Sequence, residues 1–169
     1  IHAQAEADYG FASAYGAWMR GYYYAVSYND GGDIVAVADA DHGDAFAVAN
    51  YVDAPGQAFY QGCGPYGCYY AYYGGLAALE NDGNMYAHAA ADGGVARAYG
   101  GVVIGRLHAQ AANRGDIMAV AEADGGEAQA VGLLVRSDYG DVWADNAEGA
   151  SIVAAAYGDD SDATAVLFV

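Results

Sequence analysis

The feature that most limits how this chain folds is an alternation of alanine with larger residues, broken at short intervals by turns. Alanine fills every second position in segments such as 36–40 and 119–123. Turn signals rich in Gly, Asp and Asn recur about every 10 to 11 residues, the spacing of short strands. A period of two is that of a β-strand, and segments this short leave no room for a typical helix of about 11 residues. The sequence therefore predicts an all-β fold.

The alanines mark one face of the predicted strands. The positions expected to point inward include Ala36, Ala38, Ala119 and Ala121. The positions expected to point outward include Met118, Val120 and Glu122. Sheets usually lie about 10 Å apart across branched side chains, so alanine faces call for a much thinner core. A thin core suits a repetitive β-solenoid, because its strands also hydrogen-bond to the rungs above and below.

Internal similarity indicates a repeat array. Residues 3–16 resemble residues 87–100, and residues 32–48 resemble residues 115–131, with nearly the same separation along the chain in both cases. We interpret the chain as one domain, residues 1–169, built by tandem duplication of residues 1–84 and 85–169. Pairing the short segments at about 21 residues predicts about eight rungs of two strands. The alternative is an antiparallel β-meander or sandwich, because Gly125-Gly126 between Asp124 and Glu127 is also a hairpin signal.

Charge excludes several classes of partner. The 169 residues include 22 Asp and Glu, only five basic residues, all Arg, and carry a formal net charge of −17. Nucleic acid and anionic membrane surfaces attract cationic proteins and repel acidic ones, so neither is predicted to be a partner of this chain. The sequence also lacks the roughly 20 consecutive apolar residues of a membrane-spanning helix. The chain begins at Ile1, and we expect any secretion signal to have been removed already.

Two cysteines bracket a turn in the segment GCGPYGC. A disulfide between Cys63 and Cys68 would close a tight loop, and it predicts an oxidising, extracellular location. Two free thiols at a turn are the alternative.

Tyrosine is concentrated in one part of the chain. Eleven of the 17 tyrosines lie between Tyr22 and Tyr73, and tyrosine suits interfaces. The segments 1–5 and 163–169 are interpreted as strand edges open to pairing between subunits. The predicted interface residues are Tyr22, Tyr24, Tyr70, Tyr72, Val166 and Phe168. Aromatic ladders that only stabilise adjacent rungs are the alternative to an interface.

Chemistry-bearing groups are few. There is no nucleophile-elbow serine and no glycine-rich loop followed by Lys, so no enzyme activity is predicted. Carboxylates gather at the turns, where their oxygen atoms would be suitable ligands for calcium. The candidate calcium ligands are Asp41, Asp44, Asp124 and Glu127. The alternative is that these carboxylates only form turns and keep the chain soluble.

The segments GDIVAVADADHGDAFAVAN and GDIMAVAEADGGEAQAVG resemble the strand-turn-strand repeats of curlin-type functional amyloids. Where those families carry internal Gln and Asn ladders, this chain has mostly alanine. The resemblance implies a secreted subunit that assembles with copies of itself into an extracellular filament or matrix. The competing expectation is an acidic solenoid adhesin whose tyrosine-rich patch binds carbohydrate, a partner protein or another cell-surface component.

Overall fold

The structure, a computed structural model, describes residues 1–65 and 67–168, without the side chains at 64, 69, 72 and 166–168. These residues form β-strands joined by turns, and no helix occurs among them. In chain order the strands are β1 (His2–Ala7), β2 (Gly10–Arg20), β3 (Tyr24–Asn29), β4 (Asp33–Ala40), β5 (Gly43–Ala54), β6 (Gln57–Gly64), β7 (Gly67–Tyr73), β8 (Leu76–Asn81), β9 (Asn84–Asp92), β10 (Val95–Gly105), β11 (His108–Asn113), β12 (Asp116–Asp124), β13 (Glu127–Ser137), β14 (Asp141–Asn146), β15 (Ser151–Tyr157) and β16 (Asp160–Phe168).

Most strands stack in parallel into three sheets. Sheet A has the order β1-β4-β9-β12-β15, sheet B the order β2-β5-β10-β13-β16, and sheet C the order β3-β8-β11-β14. Apart from β6 and β7, successive strands enter different sheets, so the chain winds as a β-solenoid of about five coils. The predicted solenoid is therefore confirmed, and the antiparallel meander is not observed. Among the described residues, antiparallel pairing occurs in the hairpin formed by β6 and β7.

The coils differ from the predicted rungs in number and composition. Ala3 in β1 pairs with Ala36 in β4, and Ala87 in β9 pairs with Ala119 in β12. Each of these steps advances the chain by three strands. The prediction of about eight two-strand rungs is therefore wrong. A pair of segments does not close a coil, because sheet A covers only the first half of sheet B. Sheet C is needed to cover the other half.

The similar segments of the sequence lie two coil steps apart. Ala3 pairs with Ala36, and Ala36 in turn pairs with Ala87 across a longer step that contains the β6–β7 hairpin. Corresponding strands of the two copies therefore lie in the same sheet. A duplication boundary at residue 84 stays a prediction.

Alanine fills the space between sheet A and the first half of sheet B. Ala36, Ala38, Ala119 and Ala121 are all 0% exposed, which confirms their inward orientation. Met118 and Glu122 are exposed, as expected. Val120 is only 7% exposed, although it lies outside the main core cluster. Its register partners His88 and Ala155 flank it, and the His88 imidazole reaches across to Glu122, with Nε2 and Oε1 3.7 Å apart.

The pairing in sheet B is interrupted at one residue per strand in the middle of its long strands, and the register is the same on both sides. This point is called the bend below. At this bend Gly100 lies so close to Ile117 and the Gly132 carbonyl that a Cβ would collide with both. Beyond the bend, sheet B packs on sheet C through larger residues. Those that are fully buried include Val52, Leu79, Val103, Leu133 and Val135. The bend therefore joins a thin alanine layer to a thicker aliphatic one.

Candidate interaction surfaces

The outer face of sheet B carries an aromatic cluster at the bend. The Tyr15 and Trp18 rings lie 4.7 Å apart, and Trp18 lies 5.4 Å from Tyr51. Phe46 joins the cluster to Tyr99, with ring centroids 5.6 Å apart. These five rings, called the sheet B cluster below, come from three adjacent strands because parallel register stacks equivalent positions.

The sheet B cluster is partly desolvated. Trp18 is 54% exposed, whereas Tyr51 and Tyr99 are half-buried. Burial raises the pKa of Tyr51, and the nearby Asp53 charge adds to that rise. Burial likewise raises the pKa of Tyr99, whose hydroxyl donates to Gln129 Oε1 at 3.1 Å. The raised pKa values of Tyr51 and Tyr99 therefore keep these two phenols neutral into the alkaline range.

One ion pair borders the sheet B cluster. Arg20 Nε lies 3.2 Å from Asp53 Oδ2, and the Asp53 side chain is mostly buried whereas Arg20 is exposed. Burial raises the pKa of Asp53 above its ordinary value, although Arg20 acts in the opposite direction. The surface thus combines flat aromatic rings with a guanidinium and a carboxylate at its edge.

The β6–β7 hairpin is a second surface. It is inserted between β5 and β8 and pairs with itself, so it stands apart from the three large sheets. Cys63 and Cys68 face each other across it and form the predicted disulfide, with their Cα atoms 3.9 Å apart. Two cross-strand aromatic pairs follow, Phe59 with Tyr73 at 5.4 Å and Tyr60 with Tyr70 at 5.8 Å.

Three of the predicted interface residues have described side chains, and they lie on different parts of the chain. Tyr70 is exposed on the hairpin, and Tyr22 is exposed beside a cavity of about 290 Å³ that it lines with Arg20, Gly21 and Pro55. Tyr24 is exposed at the start of β3, in sheet C. The side chains of Tyr72, Val166 and Phe168 lie outside the described residues. Tyr15 and Trp18 of the sheet B cluster were not predicted to belong to an interface, because only the parallel register brings these rings together with Tyr51 and Tyr99.

The turn carboxylates collect along the corner between sheets A and B. Asp92 lies in register with Asp124, and both line an open depression of about 410 Å³ together with Asp41. Asp44 lies further along the chain, where its Oδ1 accepts a hydrogen bond from the Val95 amide at 2.9 Å. Glu127 begins β13 in register with Val95. No group of three or more His, Cys, Asp or Glu side chains suited to a metal ion occurs among the described residues.

An asparagine ladder runs along the end of sheet C. Asn29 donates to Asn81 Oδ1 at 2.7 Å, Asn81 to Asn113 at 2.8 Å, and Asn113 to Asn146 at 2.7 Å. Each amide group also donates to a carbonyl of the following turn, as Asn81 does to the Gly83 oxygen at 2.8 Å. This ladder was not predicted from the sequence. The signal in the sequence was an Asn shortly before a Gly, a pattern that by itself indicates only a turn.

Comparison with known proteins gave no match, whether to a family model, to a curated protein or to a solved structure. In the described part of the chain, no helix is present that would be long and apolar enough to cross a membrane.

Proposed function

We propose that this protein is a secreted, non-enzymatic structural subunit that assembles with copies of itself into an extracellular filament or matrix. The observation that supports this most directly is the open edge at each end of the described solenoid. Strands β1, β2 and β3 have a sheet neighbour on one side, and so do β14, β15 and β16. Such edges are templates for further strands, and natural proteins usually block them.

The strand geometry favours growth along the solenoid axis. In β1, the Ile1 carbonyl accepts from the Val35 amide at 2.8 Å. Because N–H and C=O groups alternate in direction along a parallel strand, the N–H groups of His2, Gln4 and Glu6 face away from β4. In the proposed filament these N–H groups would donate to a strand of a second copy.

The outer surface supports lateral association as well. Large apolar side chains are exposed on more than one sheet, including Trp18, Met118, Trp143 and Val153. A soluble monomer rarely leaves large connected apolar areas in water. Stacking along the axis and packing of neighbouring filaments would bury them together.

The test is to block one edge without changing the core. Gln4→Pro removes an edge N–H that makes no bond within the sheet, whereas Gln4→Ala keeps it and is the matched control. The wild type and Gln4→Ala should form fibres visible by electron microscopy, with high-mass species in sedimentation. Gln4→Pro should stay small at equal concentration and unchanged circular dichroism. If the wild type is monomeric across concentration and salt, the proposal is wrong.

A second candidate is an acidic binding module for carbohydrate or a cell-surface partner. The sheet B cluster favours it, because exposed aromatic rings beside Arg20 and Asp53 combine stacking surfaces with hydrogen-bonding groups. A glycan array should then give signals that Trp18→Ala abolishes and Tyr28→Ala, at an exposed tyrosine on sheet C, does not. Signals unchanged by Trp18→Ala would exclude the sheet B cluster as the binding surface.

A further inference from the structure

A separate aromatic cleft lies at the base of the β6–β7 hairpin. It has a volume of about 370 Å³ and is lined by the rings of Tyr23, Phe59 and Tyr73. This volume falls within the range of small-molecule pockets, about 300 to 1,000 Å³. All three residues are 40 to 54% exposed, so each offers part of its surface to a ligand.

The three rings are held in place by the surrounding chain. Phe59 and Tyr73 meet edge to face, with an interplanar angle of 81°, and so form two walls at nearly a right angle. The Tyr23 hydroxyl donates to Gln57 Oε1 at 2.5 Å, which ties the third ring to the start of β6. Gly74 has a φ of +71°, and a Cβ there would collide with Tyr23 Cα and Cδ1 at 2.6 Å. Glycine at position 74 therefore allows this close approach of coil and hairpin.

The chemistry of the cleft favours a cation over a sugar. Aromatic faces are negative and attract cations, most strongly when several rings surround one group. The described lining contains phenol and phenyl groups, and the Tyr23 hydroxyl is already engaged with Gln57, whereas a sugar needs several converging hydrogen-bond partners. The charge of the whole chain, −17, is complementary to a cation and draws it towards the surface.

We propose that the cleft of Tyr23, Phe59 and Tyr73 binds an organic cation of the quaternary ammonium class. A trimethylammonium group has a compact, weakly hydrated charge with apolar methyl groups. It would contact three ring faces and lose little hydration. This proposal does not depend on filament formation, since the cleft lies within one chain.

The test is a calorimetric titration of the full chain with choline and with its neutral isostere 3,3-dimethylbutan-1-ol. Choline should bind about tenfold more tightly, since a cation–π attraction of about 1.4 kcal/mol corresponds to that ratio. Added salt should weaken choline binding and leave the isostere unaffected. Equal affinities would mean that the cleft recognises only apolar shape, and absence of saturable choline binding would overturn the proposal as well.

Variants locate the site. Phe59→Leu and Tyr73→Leu keep apolar volume but remove a ring, and each should weaken choline binding about tenfold. Tyr9→Leu replaces an exposed tyrosine that stacks on His42, away from the hairpin, and serves as the control. Amide chemical shifts in the hairpin should move with choline in the wild type and in Tyr9→Leu. If both cleft variants bind choline as the wild type does, the cation binds elsewhere and the proposal is wrong.

Discussion

At the scale of single residues, the size of alanine determines the thickness of the core. Ala119 is fully buried and pairs with Ala87 and Ala154, so alanine meets alanine along the stack. Across this layer, β12 contacts β10 and β13 of sheet B. The inner positions of those strands include Ala98 and Ala130, both 0% exposed. Alanine has no rotatable side-chain bond by which it could move aside for a larger neighbour.

We therefore expect Ala119→Leu to destabilise the fold by about 1 to 3 kcal/mol or more through overpacking. Met118→Leu, on the exposed neighbouring position, is the matched control and should change stability little. Val120 would be a poorer control because its neighbours already cover it. Urea denaturation of the three proteins measures the difference. Equal stability of Ala119→Leu and wild type would show that the layer is not close-packed.

A second residue-scale prediction concerns Asp53, whose pKa burial raises above its ordinary value of 3.8. The folded state then holds this proton more tightly than the unfolded state. The free energy of unfolding must therefore fall as pH rises from 3.8 through the raised pKa. Asp53→Asn lacks this titration, so its stability relative to wild type should improve over that window, by about 1 kcal/mol or less. Urea denaturation between pH 3.5 and about 7 tests this. A relative loss would mean that Arg20 lowers the pKa instead.

At the scale of elements, the asparagine ladder fixes one corner of successive coils. Asn81 is 0% exposed; it accepts from Asn29 and donates to Asn113 and to the Gly83 carbonyl. Removal of this amide would leave buried donors and acceptors without partners. The ladder is thus a structural device that sets coil register, whatever the protein binds.

We expect Asn81→Ala to cost about 1 to 3 kcal/mol, the range for unsatisfied buried polar groups. Asn146→Ala, at the exposed end of the same ladder, should cost less than about 1 kcal/mol. Thermal and urea denaturation compare the two variants. Similar losses for both would indicate that the ladder contributes through turn geometry alone and not through buried hydrogen bonds.

The hairpin is expected to behave as an element separate from the solenoid. Its strands pair with each other, and its disulfide closes a loop of a few residues. Replacement of both Cys63 and Cys68 by Ser should therefore increase amide hydrogen exchange in residues 57–73. Exchange in β5 and β10 should stay unchanged, because local opening requires no loss of the core. Faster exchange in β5 as well would show that the hairpin supports the coils.

At the scale of the whole molecule, negative charge opposes both folding and association. The chain carries a net charge of −17, and Asp92 and Asp124 stand side by side on adjacent coils. The described ion pairs of arginine with aspartate, such as Arg114 with Asp82 at 3.0 Å, offset little of this charge.

We expect the melting temperature to rise between about 10 mM and 1 M NaCl, as the Debye length falls from about 30 to 3 Å. Asp124→Asn should raise the melting temperature at low salt and reduce the gain from added salt. Fibre formation should also be faster at high salt, since copies repel one another. A melting temperature that falls with salt would mean that the arginine–aspartate pairs outweigh the repulsion.

The alternation of alanine by itself determined the all-β class, the inward face and the thin core. The physical reason is local, because a strand exposes alternate residues to opposite sides and alanine leaves no space between layers. The disulfide was also predictable, since Cys63 and Cys68 bracket a turn signal. The spacing of turns predicted the short strands for the same reason.

Only the tertiary structure decided how many strands close a coil. The reason is that Val52, Val103 and Val135 are covered by sheet C, through contacts between segments that are distant in the sequence. The sheet B cluster likewise unites Tyr15, Tyr51 and Tyr99 through parallel register. The asparagine ladder joins side chains on successive coils, and its hydrogen bonds exist only once those coils stack. Sequence spacing alone cannot place such partners, because the inserted hairpin makes the coil step from β4 to β9 longer than the step from β9 to β12.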